Sequence, residues 1–375
     1  MTAKVFCIGR LRRSDPAARK RVPAFSGRNV RSPPRPRVAV RGMWALMSAA
    51  AAGAALLGST ASAEAAEGSA RAAAIDHRPP TSSPPQALTV EQERALKPGD
   101  GFRECPACPE MVVIPKGGFL MGSAKGEGDR DEEGPNGQPL KVNILADYAL
   151  ARFVVTVKDY MTCLAEGGCP PPVWREPGNS FNAVTGADDH FRRLGGALTD
   201  DRHPIVGVSW GNARAYAAWL NARLRLPPRA GYRLPTEAEW ERAARGGKES
   251  LRYSWGDEFK AGSANAEGQS RDDQWLYTSP VGSFPPNPYG LYDMHGNVWQ
   301  WVEDCYHLSY VGMPAVVVET GSAWISACDA SGRRVLRGGS WIDHPHVLRA
   351  ADRGGSPPDM RYSYVGFRMA RTVAR

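Results

Sequence analysis

The sequence predicts an α+β domain with little regular secondary structure in the larger, C-terminal part of the 375-residue chain. From Cys105 onward Gly, Pro, Trp and Tyr are dense and apolar runs are short, which is typical of turns and short strands. Long helical patterns begin at Ser209 and Thr236, and none follows residue 250. Because no Pro- or Ser-rich linker interrupts this region, we expect one domain over residues 104–372.

Each predicted element has a local signal. The runs MVVIP (111–115) and GGFLMGS (117–123) are expected to form a strand pair around a turn, and more extended structure is expected over 142–154. The Gly-rich, charged stretch 124–138 is expected to be a loop. Thr156 is expected to cap a short helix.

The two longer helices have clear start and stop signals. Ser209 can cap the first, and Thr236 with Glu239 forms a capping box for the second, which Gly246–Gly247 should end. The apolar residues of the first helix recur at helical spacing and predict a buried stripe, consisting of Ala213, Tyr216, Ala217 and Leu220.

The positive charge of the chain lies at its start. The formal net charge is +8, but residues 1–42 contain 12 Lys and Arg with one acid, whereas the remainder has 35 basic and 38 acidic residues. The near-neutral remainder gives no reason to expect nucleic-acid binding. We interpret 1–42 as a disordered basic extension, unless translation begins nearer Val38 or Met43.

An export signal is predicted over residues 43–63. An apolar run there ends in Ala61-Ser62-Ala63, the form of a signal peptide with its cleavage site; a retained signal anchor is the alternative. Residues 64–103 are expected to be a linker with one short helix near 88–96. The protein is therefore expected to be periplasmic or secreted, with membrane contact only through the export signal.

The cysteine pattern agrees with export. Without Cys7, which lies in the predicted leader, an even number remains, as in disulfide-bonded exported proteins. For C-P-A-C the alternatives are zinc binding, although no second C-x2-C pair occurs, and redox catalysis, although an extended run follows. Among several possible connectivities we expect pairing of neighbours: Cys105 with Cys108, Cys163 with Cys169, and Cys305 with Cys328.

Seven motifs in one order, over about residues 108–370, carry a family resemblance. They are VIPKGGFLMGS, HPIVGVSWGNARAYAAWL, YRLPTEAEWERAARGG, YSWGD, PPNPYGLYDMHGNVWQWVED, RVLRGGSW and GFRMA. With them the chain resembles the formylglycine-generating enzymes, or sulfatase-modifying factors. The resemblance implies a variant of the C-type-lectin-like fold, with a twisted sheet and long loops.

The resemblance also implies a copper site that this sequence lacks. The family's oxidase converts a sulfatase cysteine to formylglycine and holds copper(I) between two thiolates after a G-G-S turn, since soft thiolates suit copper(I). The matching turn is 338–341; the first cysteine position falls on Asp343 and the second near His346 or Val347. No cysteine follows Cys328, so we do not expect this mechanism.

Other residues near the turn could serve binding or a different chemistry. Asp343 with two imidazoles could hold iron, copper or zinc, although H-P-H places the histidines on opposite faces when extended. No transition metal is therefore expected. We expect an accessory module whose cleft, with Arg349, binds a peptide, glycan or protein; a metal-dependent or otherwise altered oxidoreductase is the alternative. The cleft candidates are Ser340, Trp341, Asp343, His344 and His346.

The resemblance implies two structural calcium sites, which need hard oxygen ligands. The family usually has Glu where this chain has Gln300, so the second site should bind more weakly, or its side chains only hydrogen-bond the loop. The first site would use Asn265, the Ala266 carbonyl, Asp273 and the Trp275 carbonyl; the second would use Asp293, the Gly296 and Val298 carbonyls, and Gln300.

Five further polar residues are expected to be structural. His203, His295 and His307 should each be satisfied by neighbouring groups. Arg337 and Arg368 should buttress the sheet through charge-assisted hydrogen bonds.

Overall fold

A computed structural model describes residues 85–125, 127, 134–176, 190–227, 230–267 and 275–373. The predicted basic extension, the signal peptide and the first part of the predicted linker lie outside these residues. None of the described helices is long and apolar enough to cross a membrane.

The described domain contains short strands and mostly short helices. The strands are β1 (Gly101–Phe102), β2 (Met111–Ile114), β3 (Gly117–Met121), β4 (Leu140–Ile144), β5 (Tyr148–Ala151), β6 (Tyr232–Arg233), β7 (Trp299–Cys305), β8 (Arg334–Arg337), β9 (Arg353–Ser356), β10 (Val365–Phe367) and β11 (Ala370–Thr372). The α-helices are α1 (Val90–Ala95), α2 (Val157–Ala165), α3 (His190–Leu194), α4 (Trp210–Leu224), α5 (Glu237–Arg245) and α6 (Ala315–Thr320). This composition confirms the predicted α+β class.

The strands form three sheets in the described region. One sheet has the order β1-β2-β5-β11-β6 with antiparallel neighbours, and a second has the order β10-β7-β8-β9. In the second sheet β10 runs parallel to β7, whereas β8 runs antiparallel to both β7 and β9. The third sheet is the antiparallel ribbon of β3 and β4.

The predicted pairing of the first two runs is wrong, although both runs are strands. β2 is buried along its whole length and pairs with β1 and β5, while β3 alternates between faces and pairs with β4. The connection is Pro115 and Lys116, and β3 begins at Gly117, whose φ of +133° favours glycine. After this short connection the chain enters a different sheet. The local sequence pattern therefore predicts that both runs are strands, but it does not predict which strands they pair with.

The predicted helix signals are confirmed. Capping boxes begin α2 at Thr156, α4 at Ser209 and α5 at Thr236. Gly246 ends α5 in the left-handed conformation. The predicted stripe on α4 is buried and packs in the larger hydrophobic core, which lies beside the five-stranded sheet and β7.

All three predicted disulfides are present: Cys105–Cys108, Cys163–Cys169 and Cys305–Cys328. Disulfides persist in oxidising compartments, so they are compatible with an extracellular or periplasmic protein.

The predicted start of the domain at residue 104 is too late. The end of the predicted linker is folded: α1 lies within the short helix expected near 88–96, and β1 pairs with β2. Buried Arg371 joins this segment to the last strand, because its Nη2 lies 2.5 Å from Glu93 Oε1 and 2.8 Å from Glu104 Oε1. Composition alone suggested a linker since these contacts are long-range.

Replacing Glu93 tests whether α1 belongs to the fold. Glu93→Ala should lower the free energy of unfolding by about 1–3 kcal/mol, because buried Arg371 loses one of its two carboxylate partners. Glu91→Ala, on the exposed side of the same helix, should change it by less than about 0.5 kcal/mol. Equal effects of the two changes in urea denaturation would contradict this assignment.

Candidate ligand site at the Gly338–Trp341 turn

The turn after β8 depends on two glycines. Gly338 and Gly339 have φ values of +96° and +68°, which β-carbon-bearing residues rarely adopt. A Cβ on Gly339 would also lie 2.8 Å from the Leu348 side chain. The turn is therefore packed directly against the segment that follows it.

A buried ion network fixes β8 immediately before the turn. Arg337 is fully buried; its Nη2 donates to Glu241 Oε2, and its Nη1 donates to the carbonyls of Ala351 and Asp352 at 2.5 Å each. Glu241 Oε1 accepts from Arg245 Nη2 at 2.7 Å. The predicted buttressing role of Arg337 is thus confirmed, and its main partner lies on α5.

The network keeps its carboxylate ionised despite burial. Burial by itself would raise the pKa of Glu241, but Arg245 and Arg337 together hold that pKa below its ordinary value. Nearby Asp304 is different, because burial and the Glu237 carboxylate raise its pKa to about 7. Asp304 accepts from the backbone N–H groups of Glu237 and Trp324, both at 2.7 Å.

Asp343, which the family resemblance matches to the first copper ligand, is bound into the turn. Its Oδ2 accepts from Ser340 N at 3.0 Å, Ser340 Oγ at 2.5 Å and Trp299 Nε1 at 2.8 Å. Burial raises the pKa of the Asp343 carboxyl, and the hydrogen bonds from Ser340 and Trp299 oppose that rise. One carboxylate oxygen thus closes the turn and joins it to β7.

The other turn candidates are not equivalent. Ser340 and Trp341 are buried, and so is Arg349, which binds Glu127 and Asp352. Cleft candidates Ser340 and Trp341 therefore belong to the packed interior, as does Arg349.

The two histidines of the turn reach the surface. His344 and His346 are exposed, with ring centroids 6.0 Å apart, and His344 Nδ1 lies 3.4 Å from Glu267 Oε2. Of the five cleft candidates, these two histidines are exposed and Asp343 is partly buried, so these three can meet a ligand from solvent.

Trp299 and Glu267 were missed by sequence reasoning. Trp299 donates to Asp343, and Glu267 receives a contact from His344 while its N–H donates to the Asp343 carbonyl at 2.9 Å. Trp299 is the first residue of β7 and lies in GNVWQW, part of one of the seven family motifs. The motif therefore points to this segment of the chain, but it does not predict that Trp299 binds Asp343.

The described part of the first predicted calcium site fits a cation. Asn265 is 1% exposed; its Nδ2 donates to the Tyr277 carbonyl at 2.7 Å, while its buried Oδ1 has no hydrogen-bond partner among the described residues. A buried oxygen in this state is suited to a hard cation. Ala266 is buried beside it, Trp275 packs against His203, and Asp273 lies outside the described residues.

The second predicted calcium site does not fit a cation in this arrangement. Gln300 Oε1 already accepts from Trp240 Nε1 at 2.8 Å and Arg368 Nε at 2.7 Å, and Gln300 Nε2 donates to the Asp293 carbonyl at 2.7 Å. Asp293 Oδ2 accepts from Gly282 N at 2.9 Å. These bonds favour the alternative in which Asp293 and Gln300 hold the loop directly, and we derive nothing from a cation there.

The remaining members of that second set lie in the same loop. Gly296 accepts at its carbonyl from Val298 N at 2.9 Å. Arg368, which was expected to buttress the sheet, also donates to the Tyr292 carbonyl at 2.6 Å and the Ala151 carbonyl at 2.9 Å. Its structural role is confirmed.

The three histidines that were expected to be structural are satisfied, as predicted. His203 Nδ1 pairs with Thr278 Oγ1 at 3.0 Å, and His307 stacks on Trp324 with ring centroids 3.5 Å apart. His295 Nε2 accepts from the Ser254 N–H at 3.2 Å, which leaves Nδ1 to donate to the Leu348 carbonyl at 2.7 Å. Burial lowers the pKa of His295 to about 4.

Comparison with protein families identifies the described domain. The family model "Sulfatase-modifying factor enzyme 1-like domain" matches residues 100–373. The formylglycine-generating enzyme of Streptomyces coelicolor is 35% identical over 313 residues, covering 74% of this chain and 93% of that protein. Inactive C-alpha-formylglycine-generating enzyme 2 of Mus musculus is 33% identical over 303 residues, covering 71% and 87%.

A solved structure and a longer relative agree. The structure of PvdO from Pseudomonas aeruginosa matches with a TM-score of 0.60 and 34% identity, covering 74% of this chain and 100% of that one. The protein named serine/threonine-protein kinase pkn1 of Chlamydia pneumoniae is 36% identical over 274 residues, 72% of this chain. The chain spans only 39% of that relative's length. These matches confirm the predicted family resemblance and fold.

Removing the charge of Glu241 should loosen the turn. Glu241→Gln should lower the free energy of unfolding by about 3–5 kcal/mol, because Arg245 and Arg337 stay buried without an ionised partner. Asp329→Asn weakens a partly exposed surface ion pair with Arg333 and is the control; it should lower the free energy of unfolding by less than about 1 kcal/mol. A Glu241→Gln protein as stable as the control in urea denaturation would contradict this account.

His295 should make stability fall in acid. Its pKa is lowered in the folded state, so the unfolded chain binds more protons and stability is lost as pH falls from about 6.5 to 4. Over that range the wild-type free energy of unfolding should fall by about 3 kcal/mol more than that of His295→Gln. Denaturation at a series of pH values checks this, and parallel curves for the two proteins would refute it.

Proposed function

We propose, from the premise that the chain belongs to the family of sulfatase-modifying factor enzyme 1-like domains, that it is an accessory member that binds a ligand or protein. In this proposal it lacks the family's copper–dithiolate oxidase chemistry. One observation supports it: the carboxylate of Asp343, the residue that the family resemblance matches to the first copper ligand, is bound to Ser340 and Trp299.

The sulfur chemistry of the chain supports the same proposal. All six cysteines of the described residues are in disulfides, and the only other cysteine in the sequence is Cys7. A disulfide sulfur is not a thiolate, and the thiolate is the form that binds metal. A hard, hydrogen-bonded carboxylate is a poor substitute for copper(I), which prefers soft ligands.

The exposed part of the turn suits recognition. Asp343, His344, His346 and Glu267 present carboxylates and imidazoles on a backbone that the buried network fixes. Polar groups held on a rigid turn can orient a peptide, a glycan or a protein surface without forming covalent bonds. The relative named as inactive is a precedent within the family for loss of the oxidase.

Calcium at the first site is part of the proposal. Asn265 Oδ1 and the Ala266 carbonyl, with Asp273 and the Trp275 carbonyl, would hold the ion, which would supply a structural charge. Asn265 would orient the site, since its amide is already fixed on the Tyr277 carbonyl.

Export completes the proposal. The predicted signal peptide at 43–63 and the three disulfides both suit a periplasmic or secreted protein.

Metal analysis of the purified full chain tests the proposal against an altered oxidoreductase. We expect about one calcium ion per chain and no stoichiometric iron, copper or zinc. Asn265→Ala should remove the calcium because the site loses its buried oxygen, whereas Asp293→Asn should retain it.

Replacement of the two exposed histidines tests the alternative function by the same metal analysis. Replacing His344 and His346 together with Ala should leave the metal content unchanged, because no group of three or more His, Cys, Asp or Glu side chains in the described region could hold a metal. A stoichiometric transition metal that disappears in this double variant would overturn the accessory function and favour the enzyme.

A further inference from the structure

The guanidinium of Arg242, in the last turn of α5, is held at a fixed position and has no counter-ion among the described residues. Arg242 donates through Nε to the Pro115 carbonyl at 2.9 Å, through Nη2 to Lys116 O at 2.9 Å and through Nη1 to Gly118 O at 3.2 Å. A Cβ on Gly117 would lie 3.2 Å from Arg242 Nη2, so a glycine is what lets the guanidinium approach.

The charge of Arg242 is not neutralised by contact. A guanidinium has five N–H donors, so the three bonds to carbonyls leave two without a partner in the described structure. No carboxylate of the described residues lies within 4 Å of it. The next arginine of the helix differs, since Arg245 is paired with Glu241.

The guanidinium lines a cavity of about 190 Å³ that has further donors. Lys248 also lines this cavity, and its Nζ donates one hydrogen bond to the Ser254 carbonyl at 3.1 Å. The Tyr289 hydroxyl lies over Gly247, where a Cβ would be 2.9 Å away. Glu249 is the one carboxylate of the lining, and it forms no ion pair within 4 Å in the described structure.

We propose that this cavity is an oxyanion-binding site, with Arg242 and Lys248 as its cationic ligands. A planar guanidinium with two free N–H groups matches two oxygens of a carboxylate, sulfate or phosphate, and an ammonium group adds a second charge. Because carbonyls already fix the guanidinium, little side-chain entropy is lost when the anion binds. Phe119 and Tyr289 form the aromatic part of the wall, and Arg245, which is paired with Glu241, also lines the cavity.

The oxyanion belongs to a larger polar ligand. A second cavity of about 780 Å³ shares the lining residues Gly118, Phe119 and Glu249 with the first. It lies against the outer face of the β3–β4 ribbon. Lys141 and Asn143 of that face have side chains that no described group binds. Together the cavities have the size of a small-molecule site.

This site is separate from the turn at 338–341. None of the turn residues lines either cavity. Its existence therefore does not rest on the proposed accessory function, and either one can fail alone.

Calorimetric titration of the full chain tests the site with inorganic sulfate, inorganic phosphate and acetate, at ionic strength held constant with sodium chloride. We expect saturable, one-site binding of at least one of these anions. Arg242→Gln should weaken it about tenfold or more, and Lys248→Gln about threefold. Lys260→Gln, an exposed lysine outside both cavities, is the matched control and should leave the affinity unchanged.

Lys248→Gln also covers the case in which Arg242→Gln unfolds the protein, since Lys248 is exposed and makes one backbone contact. Sulfate and phosphate bound more tightly than acetate would identify a tetrahedral oxyanion, and the reverse order a carboxylate. The proposal would be overturned if the heat of titration did not saturate for any of the three anions. Equal anion affinities of the Lys248→Gln and Lys260→Gln proteins would also overturn it.

Discussion

The ion network of Arg337, Glu241 and Arg245 is the constraint on which the rest of the described site depends. Glu241 receives hydrogen bonds from three parts of the chain: Arg337 on β8, Arg245 on its own helix, and the N–H of Gly122 after β3. A buried carboxylate of this kind costs several kcal/mol if it loses a partner. The network therefore fixes the position of the turn relative to α5 and the β3–β4 ribbon.

The same framework explains how the turn can keep its shape without a metal ion. Gly338 and Gly339 need the space that Trp240 and Leu348 leave, and Arg337 holds the strand that precedes them. None of these requirements involves copper. Asp343 completes the turn by accepting from Ser340 and Trp299, so the carboxylate has a structural use of its own. The described contacts that stabilise the turn are therefore all made by protein groups.

Local signals explain what could be predicted from the sequence. The caps at Thr156, Ser209 and Thr236 act within three residues, and each disulfide joins two cysteines that follow one another in the cysteine order, so both features could be predicted. The seven ordered motifs added the family and its α+β fold.

Long-range contacts explain what could not be predicted. Trp299 reaches Asp343 across 44 residues, and Arg371 reaches Glu93 across 278. The same distance in sequence hid the pairing of β2 and β3 with other strands and the true start of the domain. Arg242 is the clearest example of a feature that the sequence does not predict. Nothing about an arginine in a helix indicates that its guanidinium binds three carbonyls and faces a cavity.

Oxidation of a sulfatase peptide tests the central claim most directly. The full chain is incubated with a cysteine-containing sulfatase peptide, copper and oxygen, and the peptide is then assayed for an aldehyde by mass spectrometry. With Asp343 where a thiolate would be required, the account predicts that the cysteine stays unchanged, while a formylglycine-generating enzyme converts it in parallel. Formylglycine produced by this chain would contradict the account.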